Sequence, residues 1–181
     1  MRLLEILKNE AFEKKRVTLA SGRESHFYID VKRTSLSAEG CVLIGQALFD
    51  LIRREFASAQ AVGGLTLGAD PLATAVAYTS WLQGRPLRAF IVRKQIKPHG
   101  LGLWVEGAES LPPDSPVVIL EDVVTSGKSA LEAIEKVQHQ KWKILGVAAV
   151  VDRQEGGREA LEAAGFRLYS LFTKKDFGIV E

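Results

Sequence analysis

Short apolar runs alternate with stretches of helical periodicity over the last two-thirds of the 181-residue chain, and this alternation limits the fold more than any other feature. Ala61-Val62-Gly63, Leu87–Arg93, Pro116–Leu120, Ile144–Val151 and Arg167–Phe172 read as strands. Pro71–Leu82, Gly127–Gln140 and Gly157–Ala164 read as helices between them, the first with its proline early, where a missing N–H does no harm. Strands joined through helices pair in parallel, so the pattern predicts an open, mainly parallel twisted sheet flanked by helices. Ligands on such sheets bind at the carboxyl ends of the strands. The turns that follow the strands are therefore where chemistry is expected.

The amino-terminal third is less regular. Leu3, Leu4, Ile6, Leu7 and Phe12 have helical spacing over the first dozen residues. Extended pieces are expected at Val17–Leu19 and Phe27–Val31, joined by Ser21-Gly22-Arg23. Ser37 is placed to cap a helix running to Phe56, and Leu103–Glu106 reads as extended. The length suits one domain over residues 1–181. With 46% hydrophobic and 25% charged residues, the chain is expected to fold and not remain disordered. Its single cysteine, Cys41, excludes an internal disulfide, suits a reducing compartment and reads as a core residue. The first residues are too charged for a secretion signal, and no apolar run approaches the ~18 residues of a membrane span. A soluble, cytoplasmic protein is expected.

Charge is distributed unevenly. The formal net charge is +2, too near zero to announce a nucleic-acid binder. Yet Pro71–Val105 holds no acid and contains Arg85, Arg88, Arg93, Lys94 and Lys97; without those five, 19 cations face 22 anions. The excess is local, which suits a small anionic ligand. Within it, residues 94–103 are polar, with Pro98, Gly100 and Gly102, and read as a mobile loop.

The segment Val117–Ala130 carries the most chemistry. Four apolar residues form a strand, Glu121 and Asp122 stand at its carboxyl end, and Val123, Val124, Thr125, Ser126 and Gly127 lead into a helix that opens with Lys128 and Ser129. Backbone N–H groups at a helix start make an anion site suited to phosphate. Thr125, Ser126 and Ser129 add hydroxyl donors, and Gly127 lets a ligand approach the backbone. Lys128 opposes the helix dipole unless a dianion is bound. Two carboxylates beside a phosphate site are natural acceptors for the vicinal hydroxyls of a ribose; the plain alternative is a strand–turn–helix junction with solvated acids. A nucleoside-triphosphate loop is excluded, because its pattern needs glycine where Asp122 stands.

These fourteen residues resemble the diphosphosugar-binding motif of type I phosphoribosyltransferases. Arg93-Lys94-Gln95-Ile96-Lys97-Pro98-His99-Gly100 resembles the catalytic loop of the orotate phosphoribosyltransferases within that superfamily. Leu19–Tyr28 is similar to their amino-terminal hood, here about residues 1–35, and Val150–Gly157 to the strand end whose arginine meets orotate. With Gly63–Pro71, the resemblance runs over nearly the whole chain. It departs at Ala20 and in Leu65–Asp70, where relatives carry lysine, and at Lys128, where they carry a small residue.

The resemblance implies transfer of phosphoribose from 5-phospho-α-D-ribosyl 1-diphosphate (PRPP) to orotate, with magnesium carried on the diphosphate. Lys97, Asp122 and Glu121 take the catalytic roles by this likeness. Arg93, Lys94, Lys97 and His99 join Glu121–Ser129 in holding PRPP; Thr125, Arg153, Phe27 and Tyr28 meet orotate. Arg153 has a second candidate partner in Asp152 or Glu155, and aromatic residues such as Phe27 and Tyr28 can equally serve a core. Family members are homodimers, which sends Lys94 to the neighbouring site. No nucleic-acid or membrane partner is implied. The competing readings are a phosphoribosyltransferase for another base and a PRPP-sensing regulator.

Overall fold

The computed structural model describes residues 2–18, 24–95, 104–107, 109 and 111–179. Helix α1 (Arg2–Ile6) continues into a π-helical segment, Leu7–Ala11, and buries Leu3, Ile6, Leu7 and Ala11. Phe12, expected at the end of this helix, begins a short strand instead. Four two-residue strands follow: β1 (Phe12–Glu13), β2 (Val17–Thr18), β3 (Glu24–Ser25) and β4 (Tyr28–Ile29), with β1 antiparallel to β4 and β2 to β3. Only Tyr28–Ile29 of the extended piece expected at Phe27–Val31 pairs, and the chain turns at once into α2 (Lys32–Ser35). Helix α3 (Ala38–Glu55) starts where Ser37 Oγ accepts from the Gly40 amide at 3.1 Å, the cap read from the sequence.

The rest alternates. Strand β5 (Ala61–Leu65), helix α4 (Ala69–Leu82), strands β6 (Arg88–Val92), β7 (Val105–Glu106) and β8 (Pro116–Val124), helix α5 (Lys128–Gln138), strand β9 (Lys143–Asp152), helix α6 (Gly157–Ala163) and strand β10 (Leu168–Thr173) follow in order. Six strands form one sheet in the order β10-β9-β8-β5-β6-β7. All neighbours are parallel except β7, which runs antiparallel on the edge. Side chains alternate between faces. Val118 and Leu120 pack with α3, α4 and the amino-terminal elements, while Val117 and Ile119 pack with α5 and α6. Each of these four is fully buried, worth roughly 1.5–3 kcal/mol apiece relative to exposure.

Two features of this sheet make a crevice. From β5 the chain moves through α4 toward β6, and from β8 it moves through α5 toward β9, so the order reverses between β5 and β8. That is the switch point where open α/β sheets receive ligands. The two strands also part there: their register ends at Gly63 opposite Ile119, whereas β8 stays paired with β9 as far as Val124 and Asp152. Among the described residues, no helix is long and apolar enough to cross a membrane.

Candidate active site

Continued pairing with β9 extends β8 four residues beyond the expected end at Leu120, so both acids lie within the strand and not just past it. Glu121 is buried at 6% exposure, and its Oε2 has no hydrogen-bond partner among the described residues. Burial pushes its carboxyl well above the ordinary range, the adjacent Asp122 adds to the rise, and the Lys94 charge opposes it. Asp122, less deeply buried, takes the Val123 amide on Oδ1 at 2.8 Å and lines the crevice with Glu121.

Gly127 has φ of +79°, a left-handed conformation that turns the chain from β8 into α5 and favours glycine. As the N-cap of α5, Gly127 has no side chain to cap it, so among the described residues the N–H groups of the first turn stay available to a ligand. Residues Glu121–Ala130 line a cavity of about 240 Å³ over that turn. A second hollow of about 250 Å³ adjoins it, lined by Lys32, Leu65–Gly68, Lys94, Glu121, Asp122 and Ser129. Gly68 closes this hollow tightly: a Cβ there would stand 2.7 Å from Asp122 Oδ1. An anion cradle of amides thus opens directly onto two carboxylates of different exposure, an arrangement suited to a sugar phosphate.

Lys32 carried no signal in the sequence. From α2 its ammonium reaches Asp30 Oδ1 at 2.8 Å and Asp122 Oδ2 at 3.6 Å. Desolvation lowers its proton affinity, but the Asp30 hydrogen bond and the Asp122 and Asp30 charges outweigh it, so the net shift is upward. A fixed cation therefore stands on the wall of the crevice. Such a residue, contributed from elsewhere in the chain, becomes visible only once the hood packs on the sheet.

Lys94 and Arg93 diverge. Lys94 lines the hollow beside Glu121 and Asp122 of its own chain. Arg93 turns to the β7 side, with Nη1 on Glu106 Oε1 at 2.9 Å and Nε on the Gln95 carbonyl at 3.4 Å. The chain bends at Lys94, just past the end of β6, and the two side chains part there. Lys97 and His99, and most of the expected 94–103 loop, lie outside the described residues, as do Ala20 and Ser21-Gly22-Arg23.

The orotate candidates are partly brought together. The Arg153 amide donates to the Val124 carbonyl at 2.9 Å, which sets Arg153 beside Thr125 at the paired ends of β8 and β9. Its guanidinium is buried, lies 4.1 Å from the Phe27 ring centroid, and gives Nε and Nη2 to Glu155 Oε1 at 3.0 and 2.9 Å. Of the two acids weighed as its partner, Glu155 is the one engaged; Asp152 pairs with Arg158 at 3.1 Å. Tyr28 faces the other way, under Lys15 at 4.9 Å, so only Phe27 of the aromatic pair meets Arg153.

The phosphoribosyl transferase domain matches residues 43–166. Orotate phosphoribosyltransferase of Sorangium cellulosum strain So ce56 is 49% identical over 176 residues, covering 97% of this chain and 91% of that protein. That of Aquifex aeolicus strain VF5 is 47% identical over 154 residues, covering 85% and 82%. In three dimensions, orotate phosphoribosyltransferase of Mycobacterium tuberculosis H37Rv, crystallised with PRPP, superposes with a TM-score of 0.79 at 39% identity over 98% of each chain. Likeness of this degree, in sequence and in fold alike, extends from the amino-terminal elements to β10, and the chain belongs to the orotate phosphoribosyltransferase family.

Proposed function

We propose that this protein transfers the phosphoribosyl group of PRPP to orotate, giving orotidine 5′-monophosphate and diphosphate. The observation that carries the reading is the amide turn at Thr125–Ser129 opening onto Glu121 and Asp122 at the switch point of the sheet. In this reading the turn holds the 5′-phosphate, and the two acids hold the ribose 2- and 3-hydroxyls. Glu121, carrying a proton more readily than an ordinary glutamate, can donate as well as accept there. Lys94 and Lys32 face the diphosphate end, and Lys97, His99 and Arg93 are assigned to the same anion by family likeness.

The bond from the anomeric carbon to the diphosphate oxygen breaks with its electron pair leaving on the diphosphate. The new bond forms to a ring nitrogen of orotate, which gives up its proton. Positive character on the sugar and negative charge on the leaving group both grow, so fixed charges aimed at each lower the barrier. Among the described residues no three His, Cys, Asp or Glu side chains converge; the hard carboxylates of Glu121 and Asp122 suit magnesium that arrives already held by diphosphate oxygens. It is therefore written as part of the substrate, where it neutralises the leaving group. Arg153, with Thr125 and Phe27 beside it, is assigned to the orotate carboxylate, for which Glu155 is the internal stand-in.

We also assign a homodimer in the cytoplasm. Leu36, Val42, Leu67, Tyr78, Trp81 and Leu82 are each more than 60% exposed, and all lie on or beside α3 and α4. Leu67 lines the crevice as well as the apolar groove on that side, so a partner there would abut the site. Cys41, read as core, borders the same groove half-buried. The test is the change in orotate absorbance with magnesium and PRPP, with uracil and hypoxanthine as controls. Loss of signal with orotate alone supports the reading. Turnover of another base instead, or PRPP binding with no turnover, overturns it.

A further inference from the structure

Helix α5 buries an ammonium beside its apolar stripe. Ala130, Ala133, Ile134 and Val137 bury the inner face, and Lys136, at 8% exposure, is buried with them. A buried ammonium persists only when its charge and its three donors are matched. Here they are. Nζ donates to Glu132 Oε1 at 2.6 Å, to the Arg93 carbonyl at 2.9 Å and to the Lys94 carbonyl at 3.1 Å, and it lies 4.3 Å from the Trp104 ring centroid.

These partners come from three places. Glu132 is one turn back on α5, Arg93 and Lys94 leave β6, and Trp104 enters β7. One cation therefore ties both ends of the 95–103 stretch to the helix whose first turn forms the amide cradle. Lys136 lies about 10 Å along the axis from Ser129, at 1.5 Å per residue, too far to touch a ligand in the cradle. It acts instead on the peptide of Lys94, whose side chain lines the crevice beside Glu121 and Asp122.

We propose that Lys136 is a positioning residue, holding the Arg93–Lys94 backbone so that Lys94 enters the crevice and Arg93 turns toward Glu106. This rests on the reading above that Lys94 meets the diphosphate of PRPP. A neutral residue of similar length would fill the same space and free the two carbonyls. Glu132 would then lose its partner, and the approach of Lys94 would be left to the chain alone.

The test compares wild type with Lys136→Met, Lys94→Ala and the double variant, by steady-state kinetics and by amide hydrogen exchange. Lys136→Met is expected to lower kcat/KM for PRPP by about tenfold to a hundredfold, the size of losing charge-assisted hydrogen bonds. The double variant should be little worse than Lys94→Ala. Exchange should quicken at Lys94, Gln95 and Trp104 and not across the sheet, and affinity for ribose 5-phosphate should stay unchanged because the cradle is untouched. Should Lys136→Met fail to fold, Trp104→Leu, which removes only the ring over the ammonium and leaves α5 intact, must still give a smaller gain in exchange confined to Lys94 and Gln95. Losses that multiply in the double variant, or exchange that is unchanged, overturn the assignment. A wild type inactive on orotate whose exchange still depends on Lys136 overturns the orotate reading and leaves the clamp standing.

Discussion

Glu121 near the end of β8 and Arg153 just past the end of β9 are both buried, and each makes a measurable demand on the fold. Burial, and then Asp122, raises the Glu121 carboxyl above the ordinary range. An unfolded glutamate loses its proton near pH 4.3. Above that pH the unfolded chain releases a proton that the folded chain retains, so rising pH removes stability until the folded value is passed. Glu121→Gln is therefore expected to raise the melting temperature of the ligand-free protein at about pH 7, the gap closing as the pH falls toward about 4. A gap that is constant with pH would show that Glu121 titrates normally. For Arg153, loss of a charge-assisted pair predicts that Arg153→Leu costs about 1.5–3 kcal/mol in kcat/KM for orotate, with PRPP binding retained. Unchanged constants for orotate would remove Arg153 from the site.

At the scale of elements, the turn from β8 to α5 was legible because each residue type there is chemically constrained: apolar before, acidic next, small and hydroxylated last. What could not be read was where the strand stops. Hydrogen bonding to β9, remote in sequence, carries β8 through the acids, so both line the crevice while Glu121 is the more deeply buried. Lys32 and Lys136 were illegible for the same reason, since each acts on a partner dozens of residues away. Arg93 and Lys94 stand out in the sequence as a pair, yet their directions follow only from the backbone. Gly127 gives the sharpest test of the turn itself. Its φ of +79° and the 3.0 Å from a built Cβ to the Gly157 carbonyl leave no room for a side chain. Gly127→Ala is expected to cost about 1 kcal/mol or more in stability and to weaken ribose 5-phosphate binding, measured by calorimetry; equal affinity would show that the turn does not hold the phosphate.

For the whole molecule, the parallel order and helices on both faces were readable from alternation, while the antiparallel edge strand and the small amino-terminal pairings were not. The expected dimer belongs to this scale. Trp81, 73% exposed on α4, is placed to meet a partner, and Trp81→Lys should shift the sedimentation of the protein to that of a monomer. If wild type and variant sediment alike as dimers, the interface lies elsewhere. Lys94 and Asp122 line one crevice within one chain. Mixing Lys94→Ala with Asp122→Asn protein should accordingly restore no activity, because every mixed site still lacks one of the two. Recovery in the mixture would mean that Lys94 crosses to the partner.

The edge pairing of β6 with β7 bears on how such an enzyme can be retuned. Val92 opposes Val105, and the Arg93 amide donates to the Trp104 carbonyl at 2.9 Å, so the chain leaves the sheet and rejoins it at one spot. A detour whose two feet are stitched together can lengthen or shorten without moving any other strand, and doubling its length adds only about 0.6 kcal/mol of closure cost. Natural variation, or a designer, can thus rewrite the connection between β6 and β7 while the scaffold beneath stays as it is.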